Sequence, residues 1–250
     1  MADPKPSEYQ RAASPEWPTQ THWSIVLAAA DPAAPHCREA LEELCRAYWY
    51  PIYAYVRCRG QARPDAEDLT QAFFLRLLTT EALAAATPER GRFRAFLRAS
   101  VNHFMVSEWR REKASKRGGG VMVLSWERDG AEDRYQTEGA DELTPQRLFE
   151  RSWADTLLQR VLDRLQEEMI REGKAALFEA LEDRLIDEVD AAPYAELARR
   201  LGTTEASLKM TVMRLRGRYR EVLRREIAHT VASPDDIDDE LRHLLTILRT

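Results

Sequence analysis

Apolar residues recur at spacings of three and four through most of this 250-residue chain, while the period-two alternation of strands is scarce. That pattern predicts an all-helical protein with almost no strand. A first long helix is expected over 35–59, with Leu41, Leu44, Cys45, Tyr48, Trp49, Ile52, Tyr53 and Val56 forming one core stripe. A second is expected over 65–80, starting where Pro64 and the carboxylates Asp65, Glu67 and Asp68 suit the positive end of a helix dipole. The third, over 92–116, carries an apolar seam of Phe93, Phe96, Leu97, Val101 and Phe104. Gly118, Gly119 and Gly120 stop it, since each glycine costs about 1 kcal/mol in a helix interior. Helices resume over 148–170, 174–186, 193–201 and 204–227, and a helical tail begins near Pro234.

These breaks predict two small helical domains joined by a flexible linker. The divisions are a disordered N-terminal segment at 1–21, a first domain at 22–117, a linker at 118–147, a second domain at 148–228 and an extension at 229–250. No stretch approaches the roughly 18 uninterrupted apolar residues of a membrane span, and the N-terminus lacks the apolar core of a signal peptide. A cytoplasmic protein is expected. Cys37, Cys45 and Cys58 share one helical pattern without metal-ligand spacing, which predicts bystander thiols, no metal site and no cofactor.

The formal net charge is −5, yet the charges are unevenly placed. From Arg90 to Arg117 the cations Arg90, Arg92, Arg94, Arg98, Arg110, Arg111, Lys113, Lys116 and Arg117 face only Glu108 and Glu112. A second basic run spans Lys209 to Arg225, and the acidic stretches "ERDGAEDRYQTEGADE" and "SPDDIDDE" turn the total negative.

Within "YAELARRLGTTEASLKMTVMRLRGRYR", small Ala198 sits where two helices approach, Gly202 permits a positive backbone angle at a sharp turn, and Thr204 can cap the next helix. Leu197, Leu201, Leu208, Val212 and Leu215 make the shared core of a helix-turn-helix. Its second helix would place Glu205, Ser207, Lys209, Met213 and Arg214 at base edges and Arg216, Arg218 and Arg220 at phosphates, with the capping Thr204 also on the DNA-binding side. The competing interpretation is an ordinary helical hairpin whose arginines form a solvated face; the turn chemistry favours DNA binding. In "GRFRAFLRASVNHFMVSEWRREKASKR" the cations Arg94, Arg98, Arg110 and Arg111 are interleaved with Asn102, His103 and Trp109, a mixture suited to holding single-stranded DNA by phosphate and by stacked base.

In this order, the features resemble the extracytoplasmic-function sigma factors of the bacterial sigma-70 family, over residues 22–227. "DAEDLTQAFFLRLL" is similar to the family's helix that clamps the beta-prime coiled coil of RNA polymerase, and the basic third helix resembles its promoter-melting, minus-10-reading helix. The helix-turn-helix resembles its minus-35 reader. The resemblance implies a non-enzymatic protein whose partners are core RNA polymerase and double-stranded and melted promoter DNA, with an anti-sigma or other regulatory protein left open. It places Asp65, Asp68, Gln71 and Phe74 at polymerase. Three departures stand out: Ala72 and Ser107 where the family favours acids, and His103 at its usual asparagine, with Asn102 one position earlier. A helix-turn-helix regulator acting without polymerase, and a metal nuclease using Asp65, Glu67 and Asp68 or the tail aspartates, are the rival classes.

For the tail, Ile237, Leu241, Leu244, Leu245 and Leu248 make an apolar stripe after an acidic first turn. Two placements are open: packing on the DNA-binding domain as added core, or docking between the two domains with its aspartates near Arg214–Arg225.

Overall fold

A computed structural model describes residues 22–31, 33–79, 83, 85–87, 91–114, 130–138, 143–186, 193–228, 231 and 233–249. The segment 1–21, the triple glycine, Arg90, Lys116, Arg117 and much of the 79–91 loop lie outside the described residues, as does the side chain of Lys113. Among the described residues every regular element is a helix: α1 (His22–Ala30), α2 (Cys37–Cys58), α3 (Arg63–Thr79), α4 (Phe93–Ala114), α5 (Ala131–Thr137), α6 (Pro145–Arg171), α7 (Ala175–Leu181), α8 (Asp183–Ile186), α9 (Tyr194–Arg200), α10 (Glu205–Ala228) and α11 (Ile237–Arg249), the last preceded by a 3-10 turn at Pro234–Asp236. The protein is all-α, as the periodicity predicts.

The central element is α2. Its stripe from Leu44 to Val56 is buried, with Tyr48, Tyr53 and Tyr55 at 2% exposure or less. Fully burying a large side chain of this kind stabilises by about 1.5–3 kcal/mol, so this helix organises the first core. Pro51 lies inside it and removes one backbone donor, yet the helix continues because both flanking turns are buried. Around α2 pack α1, α3 and the first half of α6, and Phe93 of α4 meets Trp23 and Tyr48 edge to face, at centroid distances of 5.9 and 5.5 Å.

Helix α1 was not expected. Its sequence HWSIVLAAA is apolar on almost every side, so it lacks the polar face that makes a helix visible by its period. Helix α5 falls inside the stretch expected to be a linker. Glu132 of α5 accepts hydrogen bonds from Arg57 Nε at 3.0 Å and Arg57 Nη2 at 2.7 Å, and another from the Tyr53 hydroxyl, while the Tyr50 hydroxyl donates to Glu138 at 2.7 Å. Part of the acidic run is thus docked on α2.

Helix α6 begins at Pro145, three residues earlier than expected, because the Thr144 hydroxyl accepts from Arg147 N at 3.3 Å and Pro145 occupies the first turn. Its two halves serve different cores. Leu148, Phe149, Trp153, Ala154 and Leu157 join the core around α2, whereas Leu165 and Met169 join Phe178, Leu181, Leu197, Ala198, Leu208, Val212 and Leu215. The change of core therefore falls inside α6 and not at the boundary expected near residue 148. Ile227, Val231 and Leu244, assigned by sequence to the second domain and the extension, also sit in the first core.

Candidate nucleic-acid interface

The expected helix-turn-helix is α9 and α10. Gly202 has φ of +64°, and the chain reverses there with Thr203 N bonded to Ala198 O at 3.0 Å. Thr204 Oγ1 accepts from Ser207 N at 3.2 Å, which satisfies an orphan amide of α10. Leucines at 197, 208 and 215 seal the pair from within. On the outer side Glu205, Ser207, Arg214 and Arg220 are exposed, Met213 is 59% exposed, and the Lys209 ammonium stands 5.4 Å from the centre of the Tyr194 ring.

Two of the expected phosphate partners are engaged internally. Arg216 Nη2 donates to Arg184 O at 2.8 Å. Arg218 Nη2 lies 2.9 Å from Glu168 and 2.8 Å from Glu172, so one cation assigned to DNA braces α10 on α6 and the other on α8. Lys174 and Arg218 hold the Glu172 carboxyl down to about 2. Further along, Glu226 is fully buried, 3.9 Å from Arg160 and paired with Arg164, while Arg160 also pairs with Glu43 of α2. The first half of α10 keeps Lys209, Met213 and Arg214 exposed, and Arg220 is exposed further along.

In α4 the apolar seam faces inward as expected, with Phe93, Leu97, Val101 and Phe104 buried and Phe96 half-buried. His103, Arg110 and Trp109, the last at 58% exposure, face outward, and Arg111 pairs with Glu108 at 3.1 Å. Asn102 is half-buried, and its Oδ1 accepts from Tyr55 at 3.4 Å and Arg59 at 3.3 Å. Ser107, in place of an acid, accepts from Arg76 of α3 at 3.1 Å.

Arg94 departs most from expectation. It is 3% exposed, its Nε lies 2.8 Å from Glu150 of α6, Nη1 pairs with Glu240 of α11, and the guanidinium sits 4.3 Å from the Trp153 ring centre. Arg98 pairs with the same Glu150 at 3.1 Å. In this arrangement Arg94 cannot meet a phosphate, because two acids from distant helices cover it. Burial pulls its pKa below the usual arginine value, against the opposing pull of Glu150.

On α3, Asp65 and Asp68 project into solvent from the start of the helix, whereas Gln71 and Phe74 are each 3% exposed. They line an apolar groove of about 310 Å³ between α2 and α3, together with Leu41, Cys45, Trp49 and Leu78. Ala72 is half-buried. The four expected polymerase residues thus divide into an exposed acidic pair and two groove-lining side chains. The cysteines are free thiols; burial pushes Cys45 up to about 12, so it remains protonated and unreactive near neutrality. Among the described residues no cluster of three metal-ligating side chains occurs, and no helix is long and apolar enough to cross a membrane.

Residues 44–115 match the family model of sigma-70 region 2. The match runs from within α2 through α3 and α4 and covers under a third of the chain. It makes the first domain similar to that region of the sigma-70 family. No curated protein and no solved structure matches the chain.

Proposed function

We propose that the protein is a sigma factor of the extracytoplasmic-function class, acting in the cytoplasm on core RNA polymerase. One observation carries this reading: a region-2 match over α2–α4 is followed in the same chain by a capped helix-turn-helix with an open, basic first half to its second helix. In this reading Asp65 and Asp68, with the groove bordered by Gln71 and Phe74, engage the beta-prime coiled coil. Lys209, Met213 and Arg214 read the minus-35 element, and Asn102, His103, Trp109, Arg110 and Arg111 hold the minus-10 strand.

The chemistry is binding rather than bond-making. Opening duplex DNA costs about 1.4 kcal/mol per base-pair step, and stacking an extruded base on an aromatic such as Trp109 offsets about 1–3 kcal/mol of it. Arg110 and Arg111 beside that ring supply the phosphate attraction. Polymerase supplies the catalytic metal and makes RNA. Gel filtration with purified core polymerase tests the reading: co-elution at near-stoichiometric ratio is expected. A chain that ignores core polymerase and binds duplex DNA as a dimer is instead a conventional regulator.

A further inference from the structure

The extension α11 lies between the promoter-facing helix and the second half of the molecule. Ser233 Oγ accepts from Asp235 N at 3.3 Å and starts the segment, and Leu244 anchors it at 1% exposure in the first core. Ile237, Leu241 and Ile247, partly buried, pack against the same core, and ion pairs complete the contact. Glu240 is fully buried, with Arg92 Nε 2.8 Å away and Arg94 Nη1 paired to its other oxygen. Asp238 pairs with Arg224 of α10 at 2.7 Å, and His243 Nε2 lies 3.5 Å from Glu150.

A carboxylate taken wholly out of water is costly unless cations compensate it, and here the two cations are on α4 and the residue just before it. A guanidinium pair holds carboxylate and phosphate with the same planar fork of donors. Both arginines belong to the Arg90–Arg117 basic run, whose Arg110 and Arg111 the proposed function assigns to promoter DNA, and the inference rests on that assignment. We propose that Arg92 and Arg94 form a binding site for a backbone phosphate of single-stranded DNA, and that Glu240 of α11 occupies this site in the free protein as an intramolecular competitor. Release of Glu240 removes the charge that ties α11 to α4 and frees Arg92 Nε and Arg94 Nη1 for the phosphate while Glu150 keeps Arg94 Nε, and DNA and α11 then exclude one another at this point. The acid on α11 and the phosphate need not share any geometry beyond the arginine pair. Leu244 with Ile237, Leu241 and Ile247, and the Asp238–Arg224 pair, set how readily the helix leaves.

The test uses the full chain and a fluorescein-labelled single-stranded oligonucleotide at fixed salt. Amide hydrogen exchange over 237–249 is followed with and without saturating oligonucleotide, and affinity is compared between wild type and Glu240→Gln. Faster exchange in α11 on adding DNA is expected, with at least tenfold tighter binding by Glu240→Gln. Unchanged protection of α11 on bound DNA overturns the proposal, as does equal affinity of the two chains, including no binding by either. Should Glu240→Gln fail to fold, the wild-type exchange measurement decides alone. Promoter-dependent transcription with core polymerase separates the two levels of inference. A chain that transcribes but keeps α11 protected on DNA overturns only the competitor role. One that neither binds the oligonucleotide nor transcribes overturns the functional reading beneath it.

Discussion

Replacing Glu132 by glutamine should destabilise the first core by about 3 kcal/mol at neutral pH and by almost nothing in strong acid. Glu132 is 7% exposed and receives two hydrogen bonds from Arg57 and one from Tyr53, and these hold its carboxyl down from 4.5 to about 2. A tenfold change in an acid constant corresponds to about 1.36 kcal/mol, so holding the carboxyl this far down is worth on the order of 3 kcal/mol to folding. The sign follows from the depressed value: the stabilisation is complete above the unfolded pKa and disappears as pH falls through about 2. Glutamine keeps the shape but leaves the partly buried Arg57 guanidinium without its charge partner. The assay is urea unfolding of both chains from pH 7 down to pH 2.5, followed by tryptophan fluorescence, since Trp23, Trp49 and Trp153 all lie in this core. A difference between wild type and variant that stays constant across that range would refute the reasoning, because a shape defect alone does not titrate.

Other consequences reach the interface and its supports. Asp68→Arg should abolish co-elution with core polymerase without lowering the melting temperature, since Asp68 is exposed on α3; retained co-elution would move the clamp elsewhere. Lys209→Ala and Arg214→Ala should each cost about 1–3 kcal/mol on the cognate upstream element and little on random DNA, if each meets a base edge. Exposed Arg220→Ala should weaken both alike and flatten the salt dependence, as footprint affinities at two salt concentrations would show. At Gly202, where φ is +64° and an added Cβ meets nothing within 4 Å, alanine should cost about 1–2 kcal/mol of backbone strain alone; an unchanged melting temperature would contradict that.

Much of the architecture is written locally. The helix-turn-helix was legible because its signals lie within a short span of chain: Ala198 at the close approach, Gly202 at the turn, Thr204 at the cap and leucines at the helical period. The seam of α4 and the stripe of α2 were legible for the same reason. What escaped depends on partners far along the chain. Arg94 reads as one more cation of a basic helix, and only the fold brings it against Glu240, 146 residues away. The acidic run around Glu132 reads as solvated linker until Tyr53 and Arg57 are placed opposite it. The apolar stripe of α6 continues from Leu148 to Met169 without a break, so nothing in its period announces that two different cores share it. Gln71 and Phe74 were named for a surface, but the stripe of α3 turns both toward α2, where they line a groove. Of the two placements open for the tail, the ion pairs put α11 between α4 and α10, with Asp238 on Arg224, while Leu244 also adds to the core. Leu244 belongs to the first core and not to that of the helix-turn-helix, so the added core falls on the other domain from the one expected.

The central claim is that this chain directs core polymerase to promoters. Run-off transcription by core polymerase on a library of genomic promoter fragments, with and without the protein, tests it most directly. The account predicts defined transcripts that appear only when the protein is added, from fragments sharing an upstream and a downstream element at fixed separation. Transcription unchanged by the protein, while it still binds the same duplex DNA, would contradict it.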